Sequence, residues 1–200
     1  MELSQARSIY EKIFTGVDGF SLSYAWQQLD RGDKERDRNL TYGEIDFEGF
    51  FQILYDVPGI VERQVFYDLG SGVGKAVIAA ALLGNFKEVV GIELLPPLHE
   101  QAIVVSKLWE KEKITELPKV KFLQEDFLEA TDYSNVDLVY IHCTCFSQRL
   151  MYLLEDVLQT LPTGAIVLTV SQSLPRMEIV KTKKYPFRWG EGTVYSHLKS

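Results

Sequence analysis

The chain has 200 residues, of which 46% are hydrophobic, and its formal net charge is −7. This length and composition suit one domain with a substantial core, and the acidic balance argues against broad binding to nucleic acid, which requires clustered Lys and Arg. The apolar runs are too short to span a bilayer, and the first residues do not resemble a signal peptide. We therefore expect a soluble, intracellular protein without a membrane partner. A short basic segment at 176–188 is predicted to be a solvated hairpin edge.

The two cysteines, Cys143 and Cys145, lie one residue apart in a predicted strand. Residues at i and i+2 of a strand share a face but seldom have disulfide geometry. A C-x-C pair without further ligands is also a poor zinc site. We predict free, buried thiols in a reducing compartment and no metal.

Residues 1–40 are predicted to form a small helical lid that precedes a main domain at 41–200. One helical face carries the apolar side chains Ala6, Ile9, Tyr10, Ile13 and Phe14. A second apolar stretch follows the break at 16–19, and the charged segment 30–39 is expected to be a loop.

The segment Leu40-Thr41-Tyr42-Gly43-Glu44 leads into a predicted amphipathic helix that runs to Pro58. The apolar side chains recur at i, i+3, i+4, i+7 and i+8 from Phe47. Thr41 could cap this helix, with Glu44 completing a capping box.

The stretch from Phe66 to Glu93 reads FYDLGSGVGKAVIAAALLGNFKEVVGIE. An apolar strand precedes Asp68, and the three glycines that follow allow a tight turn and close backbone approach to a ligand. Residues 76–83 are apolar on all sides, which is typical of a helix buried against a sheet. A second strand, at 89–93, ends in the carboxylate of Glu93.

The spacing of this turn favours one cofactor over another. A dinucleotide fold has G-x-G-x-x-G, whereas this chain has G-x-G-x-G with Asp68 two residues before the first glycine. That carboxylate would repel a pyrophosphate. S-adenosylmethionine (SAM) has no phosphate and carries a sulfonium, an amino group and a ribose diol that Glu93 could bind.

Two further strands are predicted between a helix at 98–112 and the C-terminal part of the chain. The third, at 120–123, ends near Asp126 and Phe127, and the fourth covers 137–146 and precedes a helix at 149–161. Because strands of an open α/β sheet form the ligand crevice at their carboxyl ends, His142 to Phe146 should line the reaction chamber.

The C-terminal part is predicted to close the sheet. A fifth buried strand covers 165–170. A hairpin follows, with its two strands at 180–185 and 193–198 and its turn at Pro186. His197 is expected at the sheet edge rather than as a base.

Two levels of resemblance follow from these motifs. D-L-G-S-G-V-G at 68–74 and the acid at position 93 resemble motifs I and II of class I SAM-dependent methyltransferases. Y-G-E at 42–44, the Asp126-Phe127 pair, Phe146 and W-G at 189–190 resemble the narrower disruptor-of-telomeric-silencing family of histone lysine methyltransferases. The resemblance covers about residues 40–200. It implies an α/β fold with a Rossmann-like, seven-stranded sheet, mostly parallel with an antiparallel C-terminal hairpin, and helices on both faces.

The resemblance also assigns roles to residues. The cofactor-binding set that it implies is Thr41, Tyr42, Glu44, Asp68, Gly70, Ser71, Gly72, Gly74, Glu93, Asp126 and Phe127. The residues that it places at the reaction chamber are Tyr42, His142, Cys143 and Phe146. The family carries Asn-Asn where this chain has His142 and Cys143, and this departure bears on the choice of substrate.

The resemblance therefore implies methyl transfer from SAM, which becomes S-adenosylhomocysteine, to a protein lysine, with a histone as a possible partner. A nuclear location would follow from the histone interpretation, and a cytoplasmic one otherwise. Methylation of a small molecule or RNA, with His142 as a base, is one alternative. A SAM-binding protein without turnover is another.

Overall fold

The computed structural model describes residues 1–29, 38–112, 118–129 and 132–200. Its centre is a seven-stranded sheet. Strands β1 to β7 cover, in order, Val65–Leu69, Glu88–Glu93, Lys119–Gln124, Leu138–Ile141, Ile166–Val170, Glu178–Phe187 and Gly190–Leu198. Helices α1 to α6 cover Leu3–Ile13, Gly19–Leu29, Phe47–Tyr55, Lys75–Leu83, Pro96–Lys111 and Gln148–Val157.

The strand order is β3-β2-β1-β4-β5-β7-β6. The first five strands are parallel, while β7 runs antiparallel to both β5 and β6. The chain winds in one direction from β1 to β3 and in the other from β4 onward, so the order reverses between β1 and β4. A crevice opens at such a reversal, outside the carboxyl ends of the strands. The predicted fold class is confirmed.

Two hydrophobic clusters cover the two faces of the sheet. Alternate residues of one strand point to opposite faces, so Leu138 joins the cluster that includes α1, α3, α4 and α5, while Val139 joins the cluster that includes α6. Helix α4 is buried almost throughout, as its all-apolar sequence predicts. None of the helices in the described ranges is both long and apolar enough to cross a bilayer.

The N-terminal helices pack onto the main domain. Helix α1 contributes Ala6, Tyr10 and Ile13 to the same cluster as α4, and the ring of Tyr10 lies 4.7 Å from that of Phe47. Most of the predicted charged loop, residues 30–37, lies outside the described residues. Beyond it, Arg38–Leu40 forms a 3₁₀ turn.

The predicted capping box is wrong. Asp46 caps α3, because its carboxylate accepts a hydrogen bond from the Gly49 N–H at 2.9 Å, and Asp46 immediately precedes the first helical residue. Thr41 lies farther back in an irregular segment. Residues 41–44 therefore remain candidates for a loop at a ligand site.

Two details of the C-terminal hairpin also differ from prediction. Pro186 is not at the turn but pairs with Glu191 inside β6, where the outer position of this strand tolerates a residue without an N–H. His197 is fully buried rather than at an edge, because β7 lies between β5 and β6. Its Nδ1 lies 3.3 Å from the Met177 carbonyl and its Nε2 accepts from the Leu174 N–H, so its role is structural.

Candidate active site

A cavity of about 230 Å³ lies at the carboxyl ends of β1, β2 and β4. Eight of the residues singled out from the sequence line it: Thr41, Tyr42, Gly70, Glu93, Asp126, Phe127, His142 and Phe146. A smaller cavity of about 20 Å³ shares part of this lining and adds Glu44, Asp68 and Ser71. Gly72, Gly74 and Cys143 line neither cavity.

The glycine turn after β1 has the backbone geometry that its sequence requires. Gly70, Gly72 and Gly74 all have positive φ angles of 80°, 56° and 89°, a region that only glycine adopts readily. The N–H groups of Gly70 and Ser71 donate to the Ile92 carbonyl, both at 2.9 Å. Gly72 and Gly74 therefore serve the site through backbone conformation and packing.

Glu93 is held in one orientation at the end of β2. Its two oxygens accept hydrogen bonds from the Gly72 N–H at 2.8 Å and the Leu95 N–H at 2.7 Å. Burial raises the pKa of this carboxyl, and the backbone hydrogen bonds oppose that shift. Each oxygen keeps a further lone pair and Glu93 lines the cavity, so the group suits a bidentate contact to a diol.

Asp68 lies at the end of β1 beside the smaller cavity and is only 3% exposed. Burial raises its pKa well above the ordinary value, and the charge of Glu93 raises it further. A carboxyl in this environment favours its neutral form until a cation comes close. The site can therefore stabilise a positively charged ligand group.

Three buried polar atoms around the smaller cavity have no hydrogen-bond partner among the described residues. They are Ser71 Oγ, Tyr140 Oη and His142 Nδ1. Buried polar groups are normally satisfied, and exceptions often mark a ligand or water position. These atoms and the Asp68 carboxyl fit the amino and carboxylate groups at the methionine end of SAM.

Glu44 ties the 41–44 loop to two other elements. Its carboxylate is 1% exposed and binds Lys75 Nζ at 2.6 Å and the guanidinium of Arg188, and Tyr42 Oη donates to it at 3.1 Å. Burial, followed by the Glu44 charge, raises the pKa of Tyr42. The sequence reasoning missed both cationic partners, although the position of Lys75 directly after the third glycine is a usable signal.

At the other end of the cavity, Asp126 and Phe127 follow β3. Asp126 accepts a hydrogen bond from the Leu128 N–H at 2.8 Å. The Phe127 ring stacks on Phe146, with centroids 6.1 Å apart and an interplanar angle of 24°. A carboxylate beside aromatic faces suits a heteroaromatic base with an amino group. Phe146, which the resemblance places at the reaction chamber, therefore also packs beside Phe127.

Strand β4 is shorter than predicted and ends at Ile141, so His142 to Phe146 form the turn beyond it. The His142 ring lies edge-on to Phe187 at 5.6 Å and to Trp189 at 6.5 Å. Burial lowers the pKa of His142 to about 4, so the imidazole is neutral at physiological pH. His142 thus forms part of an apolar, aromatic wall.

The structure does not bring Cys143 to the cavity. Its side chain is fully buried, its Sγ donates to the Val170 carbonyl at 3.1 Å, and burial raises the pKa of the thiol to about 12. Cys143 joins the hydrophobic cluster that also holds Val139 and Ile141, on the same face of the sheet. Cys143 is therefore a packing residue and not, as expected from the sequence, a residue of the reaction chamber.

The fold and this site together define a class I methyltransferase architecture. An RNA methyltransferase from Salinibacter ruber, solved in complex with S-adenosylhomocysteine, superposes with a TM-score of 0.58, at 26% identity over 74% of this chain and 89% of that one.

Comparison of the amino-acid sequence with known protein families identifies the family of this chain. Residues 33–185 match the family described as histone methylation protein DOT1, and the chain belongs to that family. Two relatives described as histone-lysine N-methyltransferase, H3 lysine-79 specific, are 28% identical over 149 residues in Kluyveromyces lactis and 25% identical over 141 residues in Candida glabrata. The matches cover 68% and 66% of this chain but only 25% and 21% of those proteins.

Proposed function

We propose that this chain is a SAM-dependent methyltransferase and that its acceptor is a protein lysine, with a histone as the first candidate. The observation that carries the proposal is the placement of Glu93 and the Asp126-Phe127 pair around one cavity that begins at the glycine turn. Membership of the histone methylation family supports the acceptor class.

Different residues would bind different parts of SAM. Glu93 would hold the ribose diol, while Asp126 and the stacked rings of Phe127 and Phe146 would hold the adenine. The smaller cavity, with Asp68 and the unpartnered atoms of Ser71 and Tyr140, would hold the methionine end. SAM supplies an electrophilic methyl group on a sulfonium.

The protein has to align the acceptor and keep it neutral. A lysine side chain is ordinarily protonated at pH 7, and only the free amine can attack the methyl carbon. Desolvation against the wall formed by His142, Phe187 and Trp189 disfavours the ammonium form. We therefore expect alignment of the amine and exclusion of water to promote methyl transfer without a dedicated base.

The cofactor assignment is tested by titration calorimetry with SAM. Glu93→Ala removes a charge-assisted contact, and we expect an affinity loss of about 10- to 150-fold, equivalent to roughly 1.5–3 kcal/mol. Glu88→Ala is the matched control, because Glu88 begins the same strand and pairs with Lys121 instead. Equal SAM affinity in all three proteins would overturn the assignment.

The acceptor class is tested with isotopic SAM and whole-cell extract. Label that protease removes and nuclease leaves would support a protein acceptor. A second candidate, an RNA or small-molecule acceptor, is favoured by one observation, the unpartnered Nδ1 of His142 beside the cavity. Nuclease-sensitive label, or label in low-molecular-weight products, would replace the lysine proposal with that candidate.

A further inference from the structure

The aromatic ring of Tyr42 is held between two glycines from different parts of the chain. A Cβ added at Gly72 would lie 2.3 Å from Tyr42 Cε2, and a Cβ added at Gly19 would lie 2.4 Å from Cζ and 2.5 Å from Cε1. Gly72 belongs to the glycine turn and Gly19 is the first residue of α2. The ring therefore fits only because neither neighbour carries a side chain.

Other contacts also restrict the position of this ring. The Phe20 ring meets it edge-on, with centroids 5.1 Å apart and an angle of 80°, and Tyr42 Oη is bound to Glu44. Tyr42 also lines both cavities. A group that pushed the ring away from Gly19 would press it against Gly72 or move it into the space assigned to SAM.

We propose that Gly19 is a positioning residue for SAM binding: the first turn of α2 sets the Tyr42 ring against the glycine turn and so completes the cofactor site. This inference rests on the proposed function. It gives the N-terminal helices a specific task, and Gly19 precedes the residues that match the family, which begin at 33.

The helix start itself is built to present Gly19. Asp18 precedes it, and its two carboxylate oxygens accept from the N–H of Ser21 at 3.1 Å and from its hydroxyl at 2.6 Å. Those bonds satisfy a free N–H of the first turn. Gly19 is the first residue of α2, and its φ angle does not lie in the left-handed region. Alanine can therefore adopt its backbone conformation, and the nearest atoms that the added methyl group would meet belong to Tyr42.

The test is a double-substitution cycle on the full chain, read out by calorimetric titration with S-adenosylhomocysteine. We expect Gly19→Ala to weaken binding by about tenfold or more, while Gln28→Ala, an exposed position on the same helix, leaves it unchanged. In a Tyr42→Ala background, where no ring is left to displace, Gly19→Ala should have no further effect.

Each outcome decides between the alternatives. Parent-like affinity in Gly19→Ala, or an equal loss with and without the Tyr42 ring, would overturn the positioning role while leaving SAM binding intact. If Gly19→Ala lowers the unfolding midpoint of the parent, it must leave the midpoint of the Tyr42→Ala variant unchanged, and an equal drop there also rejects the inference. No binding by the parent chain would refute the proposed function itself, and this inference with it.

Discussion

At the scale of single residues, burial decides how each titratable group of the site behaves. Asp68 and Glu93 are carboxyls whose pKa values are raised, whereas the pKa of His142 is lowered to about 4. All three shifts have desolvation as their largest cause, because burial disfavours the charged form of either sign. Burial therefore shifts all three groups toward their neutral forms.

One prediction concerns proton release at Asp68. Its raised pKa means that the free protein keeps a proton on this carboxyl at pH values above its ordinary pKa of about 3.9. The same shift makes folding stability fall as pH rises from that value through the folded-state pKa. A bound cation favours the carboxylate, so SAM binding should release a proton.

Proton release is measured by calorimetry at one pH in buffers with different ionisation enthalpies. We expect the apparent binding enthalpy to depend on the buffer in the parent and to depend on it less in Asp68→Asn. Proton uptake, or the same buffer dependence in both proteins, would show that Asp68 does not respond to the ligand.

A second prediction concerns His142. If the neutral imidazole is only a wall, His142→Asn, which restores the residue of the resembled family, should keep methyl transfer within a few fold. A base would behave differently, because its removal abolishes turnover while SAM still binds. Turnover and SAM affinity are measured together, with His99→Asn on α5 as a control outside both cavities.

Loss of turnover with unchanged SAM affinity would contradict the wall assignment. It would also move the preferred acceptor from lysine to RNA or a small molecule.

At the scale of elements, the site is assembled from segments far apart in sequence. The 41–44 loop is fixed to α4 through Lys75 and to the β6–β7 turn through Arg188. That turn also carries Trp189, which stacks on Phe187 at 5.2 Å and contacts His142. The Glu44 ion pairs therefore link the 41–44 loop to the turn that carries Trp189.

The N-terminal helices give a prediction at this scale. Removal of residues 1–40 should leave a cooperative unfolding transition, since the sheet and α3 to α6 remain, but should lower its midpoint because Phe47 loses its contact with Tyr10. Methyl-transfer activity should also fall, even at temperatures where the truncated chain is folded, because Tyr42 loses the Gly19 contact.

Circular dichroism during thermal unfolding and a methyl-transfer assay test this truncation, with the intact chain as reference. An unfolded truncated chain would assign α1 and α2 to the core. Undiminished methyl transfer would mean that they do not support the site.

At the scale of the whole molecule, the charge distribution agrees with the expectation of weak nucleic-acid binding. Cations of the basic 176–188 segment are largely engaged by carboxylates: Arg176 with Glu155 and Asp156, Lys181 and Lys183 with Asp56, and Arg188 with Glu44. A net charge of −7 adds no general attraction to phosphates.

Sequence alone was sufficient for the features that depend on local pattern. The strand, glycine turn, helix and strand from Phe66 to Glu93 were predicted correctly because periodicity, glycine conformation and a terminal acid all act within about 30 residues. The order of the elements then determined the parallel sheet, and with it the edge where the ligand cavity opens.

Only the tertiary structure decided which side chains meet. It removed Cys143 from the cavity, placed Phe146 on Phe127, and brought Lys75 and Arg188 to Glu44. It also set Tyr42 between Gly19 and Gly72, which are 53 positions apart by their numbers. Such contacts depend on where each strand ends and how helices cross the sheet. A shift of one residue in the register of a strand moves its side chains to the opposite face, and a local pattern does not by itself specify that register.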